Sequence, residues 1–236
     1  MIKRIARTAG FSGLLAALLL TLLQSFWVAP LILQAETYES AAPAAEHHSH
    51  DGEAAVAHEH TAGHEHSAEA WSPEDGWQRI LSTTGGNLVV AVGFALILAA
   101  LYSLREPNRV STGALWGLAG FAVFCLAPTL GLPPELPGTA AADLGQRQSW
   151  WIGTAAATGV GLALLVFARH WLFKVIGVVL LAVPHVIGAP QPDVHQSLAP
   201  EALETQFKIA SWVTNAAFWL ALGLLSAWLY RRSSHA

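Results

Sequence analysis

The sequence predicts an all-α membrane protein, a polytopic bundle of six transmembrane helices with a disordered histidine-rich external loop. Three observations carry that expectation. Six stretches approach the ~20 apolar residues needed to cross a hydrocarbon core roughly 30 Å thick. Only 12% of the 236 residues are charged and 53% are hydrophobic, against about 25% charge in typical soluble domains. The bases, finally, gather on alternate connections between the apolar stretches.

The first stretch, residues 9–33, follows Lys3, Arg4 and Arg7 and runs into LILQA, whose small last residue would suit a signal cleavage site. Its apolar length exceeds the roughly 7 to 15 residues of a signal core. Residues 1–33 are therefore read as a first transmembrane helix or signal anchor, and cleavage would leave five spans. Residues 34–86 form the expected external metal-binding loop, and residues 87–236 the remaining five-helix bundle.

Within that bundle the spans are expected at 88–104, 112–130, 151–168, 171–188 and 209–230. Gly113, Gly117 and Gly120 in one span, and Ala155, Ala156, Ala157, Gly159 and Gly161 in the next, let neighbouring helices approach closely. Only Arg169 and His170 separate the fourth and fifth spans, which must form a tight hairpin. With the N-terminus cytoplasmic, six crossings put nine of the twelve bases inside and only Arg79, Arg147 and Lys208 outside, in keeping with the positive-inside rule. The expected location is a bacterial inner membrane, with both termini cytoplasmic and residues 34–86 periplasmic.

That external segment reads HHSHDGEAAVAHEHTAGHEH between positions 47 and 66. Its histidines are His47, His48, His50, His58, His60, His64 and His66. Neutral imidazole is the commonest ligand for borderline divalent metals, and an HxH spacing puts two rings on one side of an extended chain. The competing reading is a solvated linker. Ten of the sixteen acids lie between positions 36 and 75, a charge that attracts cations and repels nucleic acid.

Further candidate ligands lie at the outer helix ends. If the first helix continues outward, Glu36 and Glu39 share a face. His185 follows Pro184 near the end of an apolar span, where an ionisable group is a functional candidate by default. It is expected to touch Glu36, Glu39, Glu135 or the connection between the third and fourth spans. In that connection Pro133, Pro134 and Pro137 stiffen the backbone around Glu135. Asp143 and Arg147, four apart, are expected to pair with each other. Trp150 and Trp151 suit the aromatic belt.

What the chain lacks is equally informative. It has no GxxxxGK[ST] loop, HExxH helix or CxxCH motif, so neither nucleotide hydrolysis nor enzyme chemistry is expected, and no prosthetic group. Its one cysteine, Cys125, and one methionine, Met1, disfavour soft Cu(I).

The runs TLLQSFWVAPLILQAETYE, GLPPELPGTAAADLGQRQSWW and PHVIGAPQP resemble the CbtA family, the larger subunit of a predicted cobalamin-regulated cobalt transporter. The similarity covers most of the chain, with the histidine tract as its variable part. Glu36, Glu39, Glu135, Asp143, Arg147, His185 and Pro190 fall in the matching segments. The resemblance implies uptake of Co(II) together with a small single-span, histidine-bearing subunit. The family is described with five spans where six are counted here. Nickel or zinc is the nearest alternative cargo, because histidine accepts all three, and a membrane-anchored metal buffer or sensor is the rival from another class. Gln24, Thr214 and Asn215 are the main candidate ligands at membrane depth.

Overall fold

Among the described residues, 1–41, 73–74 and 76–233 of the computed structural model, six helices run back and forth and no strand forms. They are α1 (Ile2–Ala41), α2 (Trp77–Leu104), α3 (Val110–Gly131), α4 (Leu144–Phe167), α5 (Trp171–Ile187) and α6 (Glu201–Arg232). Local sequence explains each reversal. After α2 the chain meets Pro107, and the Asn108 side chain accepts a hydrogen bond from the Thr112 hydroxyl as α3 begins. After α3 come Pro133, Pro134 and Pro137, and Asp143 then caps α4 by accepting the Gln146 N–H at 2.9 Å. Between α4 and α5 the His170 ring nitrogen accepts the Leu172 N–H, closing the short hairpin expected there. Gly188, at φ +85°, ends α5 in a conformation that L side chains rarely adopt.

Five helices are long and apolar enough to cross a membrane, whereas α5 has 17 residues, about 26 Å at 1.5 Å per residue. The two ends of the chain meet: Arg4 donates to the Tyr230 carbonyl and pairs with Glu106. At the opposite end the connections 132–143 and 188–200 are joined by an antiparallel bridge between Thr139 and Ser197. The expected boundary at 33/34 falls inside α1 and that at 86/87 inside α2. Polar residues from Gln34 to Ser40 carry no proline or glycine, so nothing stops the helix where its hydrophobicity ends.

Two helices contain a widened, π-helical turn, at Gln24–Val28 in α1 and Ala122–Leu126 in α3. Each lies in the same local pattern, Phe26-Trp27-Val28-Ala29-Pro30 and Phe124-Cys125-Leu126-Ala127-Pro128. A proline in a helix has no N–H to donate and its ring crowds the carbonyl four residues back. Inserting one residue into the preceding turn relieves that clash and keeps the helix continuous. The Ala29 N–H accordingly donates to the Gln24 carbonyl, five residues back.

Helix α6 is the hub, packing against α1, α2 and α3. One buried cluster joins Ala9, Ala16, Ala17 and Leu20 of α1 to Ala91, Ala95 and Tyr102 of α2 and to Phe218, Trp219 and Leu222 of α6. A second, near the Glu36 end, gathers Val28, Ala35, Leu136, Leu203, Phe207 and Ala210. The α4–α5 hairpin adds no residue to either cluster; its two helices meet at Gly161 and Gly177. The tightest approach is between α3 and α6, where a Cβ on Gly117 would sit 2.2 Å from the Trp219 carbonyl oxygen.

Gly117→Ala is therefore expected to destabilise the bundle by about 1–3 kcal/mol through overpacking. Gly10→Ala, whose new methyl meets nothing within 4 Å, should be neutral or stabilising by up to ~1 kcal/mol. Thermal unfolding of the two variants in detergent checks this, and equal losses would refute the packing argument.

Candidate functional site

The extended first helix sets the geometry of the Glu36 end. Glu36 is half-buried and its carboxylate accepts from the Arg79 guanidinium of α2 at 2.9 Å. Glu39 lies one turn further on and is exposed. Beneath the Glu36–Arg79 pair, a groove of about 480 Å³ opens between α1 and α2. Thr83, Ser25 and Gln24 supply its polar groups, while Val28, Ile32 and Ile80 supply apolar ones.

A second cleft, of about 340 Å³, lies between the bridged connections. Glu135 forms one wall, tied to Arg147 at 2.8 Å, and the Glu204–Lys208 pair, at 3.3 Å, forms another. His195 and Gln191 also line it. Arg147 thus pairs with Glu135 and not, as expected, with Asp143. The physical reason is that Asp143 is occupied with the first turn of α4, where it satisfies a backbone donor that has no partner within the helix.

His185 is exposed and stands against Trp150, ring centres 6.1 Å apart in an edge-on arrangement. Trp150 also donates its indole N–H to the Pro184 carbonyl, a link between α4 and α5 in addition to any belt role. No hydrogen bond or ion pair joins His185 to Glu36, Glu39 or Glu135. Among the described residues no three His, Cys, Asp or Glu side chains converge in a way that could hold a metal. His47, His48, His50, His58, His60, His64 and His66 lie outside the described residues.

Deeper in the bundle the polar groups are amides and hydroxyls. The Asn87 side chain of α2 donates to the Gln24 side-chain oxygen at 2.7 Å and to the Thr21 hydroxyl at 3.0 Å. Gln24 opens the π turn of α1, and α6 packs against that turn. On the other flank of α6, Asn215 accepts from Cys125 in the π turn of α3. Next to it, Thr214 is buried with an unpartnered hydroxyl, one turn inward of Ala210. Neutral oxygens replace part of a cation's hydration shell without fixing it by charge.

Three groups here escape inspection of the sequence. Asn87 sits in TTGGNLVV just before an apolar run, and a lone amide at the edge of a span is itself the signal. Arg79 was visible only as an isolated outer base, since its partner is 43 positions away. Glu204, Lys208 and His195 share a wall only because the two connections are bridged.

The family model described as "Probable cobalt transporter subunit (CbtA)" matches residues 2–231. The chain belongs to the CbtA family. No curated protein and no solved structure matches it. The CbtA match spans both the charged Glu36 end and the amide layer, so these features lie in one family unit of apolar helices, a membrane protein that is a subunit of a larger transporter.

The Gln24–Asn87 contact should be worth about 0.6 kcal/mol and at most ~1.7, as for other hydrogen bonds between membrane helices. A double-mutant cycle with Gln24→Leu and Asn87→Leu, read by unfolding in bicelles, measures it. A coupling of zero would mean that the amides do not act as a pair.

Proposed function

We propose that this CbtA chain carries Co(II) inward across the cytoplasmic membrane of a bacterium, with the histidine tract concentrating the ion on the outer side. The observation that carries the reading is the family match over residues 2–231. The concentration of imidazoles and acids between positions 36 and 75 supports the outer location of capture, as do the nine bases on the opposite connections. Both termini are then cytoplasmic. Glu39, Glu36, Glu135 and His185 are the outer groups positioned to receive the ion from the tract. No enzymatic step is needed, and a small single-span, histidine-bearing subunit completes the assembly.

The energetics favour this direction. A divalent cation gains ~4.6 kcal/mol per 100 mV of inside-negative potential, twice the ~2.3 for a unit charge. Accumulation can proceed on the field alone, provided that oxygen and nitrogen ligands replace part of the hydration shell along the way. The tract offers many alternative pairs and no single geometry, which suits capture and release. Nickel and zinc compete for the same imidazoles.

Liposomes holding the chain with its small subunit should take up radioactive cobalt when the interior is negative. Retention of bound metal without accumulation would make the chain a buffer. Deleting residues 47–66 should raise the cobalt concentration needed for half-maximal uptake yet leave the maximal rate largely intact. Complete loss at saturating cobalt, with normal insertion, would refute the concentrator role.

The tract's contribution should also vanish in acid. Imidazole ligates only when neutral and has an ordinary pKa of about 6.5, so protons displace the metal as the pH falls from roughly 7 to 5. The intact and tract-deleted proteins should therefore converge in apparent affinity near pH 5. A difference that persists there would assign capture to the carboxylates.

A further inference from the structure

Resting on the transport reading, we infer that the groove between α1 and α2 is the water-filled outer half of the cation path, running from Glu36 to the amide pair at Gln24 and Asn87. The groove runs between the two helices, and α1 carries its π turn at the inner end of the opening. Ser25 and Gln24 of that turn line the groove. Pro30 has no N–H for the Phe26 carbonyl, so the same turn also lacks one of its regular backbone donors. Irregular backbone at membrane depth is tolerated where it faces protein or a water-filled cavity, and in transporters it is where ions are coordinated.

Along the groove the oxygen groups form a descending series. Glu36 stands at the mouth and Thr83 lies on the opposite wall. Ser25 is about 16 Å below Glu36 along the helix axis, and the Gln24 side-chain oxygen, held by Asn87, closes the series. A divalent ion with six waters needs about 180 Å³ at ~30 Å³ per water, so it fits in 480 Å³ with much of its hydration shell. One carboxylate followed by neutral oxygens binds a cation weakly enough to let it move on. The incoming ion takes the place of the Arg79 guanidinium beside Glu36, exchanging one cation for another without leaving the carboxylate uncompensated.

Adjacent positions test this directly. Ser25 lines the groove, while Phe26 beside it points outward and is 82% exposed. In full-length protein reconstituted in liposomes, Ser25→Cys should react with a cationic, membrane-impermeant thiol reagent added from the Glu36 side, and Phe26→Cys should not. A thiol against lipid has its pKa raised, and each unit cuts the reactive thiolate about tenfold, so a rate ratio of about ten or more is expected. Cobalt chloride should slow the labelling of Ser25→Cys, and magnesium chloride should do so less. Thr83→Cys on the facing helix, paired with the outward Val89→Cys control (74% exposed), repeats the comparison if the first pair folds poorly. Equal labelling within each pair, or no protection by cobalt, would overturn the groove as a path and leave it to lipid or a partner helix. Cobalt uptake by the unsubstituted protein, reconstituted with its small subunit in the same lipid, is measured alongside; its absence would overturn the transport reading alone.

Discussion

Close backbone approach of α6 to its neighbours is the constraint on which the rest of the bundle depends. Between helices in a bilayer the lipid tails compete on equal terms with apolar side chains, so association relies on van der Waals packing and a few hydrogen bonds. Gly113, Gly117 and Gly223 bring α3 and α6 into backbone contact. The small residues Ala9, Ser12, Gly13 and Ala16 of α1 similarly let that helix sink against α2 and α6. Tyr102 is then enclosed, its hydroxyl 3.2 Å from that of Ser226. Because the helices sit this close, the amide layer is compact enough for Asn87 to reach both Thr21 and Gln24.

The Glu36 end is more open. There Val28, Ile32 and Ile80 line a groove between α1 and α2 together with the smaller Ser25, Ala29 and Thr83. Charge is handled there by pairing in place of burial. Glu36, Glu135 and Glu204 each meet a base, and each pair is partly solvated. Such pairs contribute little to stability, and a cation can exchange with the base at small cost.

The number and order of the helices were legible in the sequence because hydrophobic length alone decides them. Helix ends were less so. Hydropathy marks where the bilayer stops and not where the backbone does, hence the added turns at Gln34–Ser40 and before Asn87. Helix α5 is an exception: it ends at Ile187, within one residue of the 171–188 span expected, because Gly188 takes a positive φ there. At the site, Glu36 was legible as an outer carboxylate, whereas its tie to Arg79 was not, since spacing along a chain gives no cross-helix partners. His185 drew notice for its type and depth. Whether such a ring turns into the bundle or away from it depends on helix rotation, which here sets it against Trp150.

Helix α6 has one more consequence, for the order of assembly. It is made after the five other helices, yet α3 packs chiefly on it and α1 and α2 both lean on it as well as on each other. Until it enters the bilayer, α1 and α2 can pair and join Asn87 to Gln24, but α3 has no glycine-faced partner and the Cys125 thiol has no Asn215 to donate to. Helix insertion is therefore sequential while tertiary packing waits for the last span. A ribosome that stalls before Glu201 leaves a chain with its polar groups unmatched in lipid, the kind of intermediate that membrane proteases recognise.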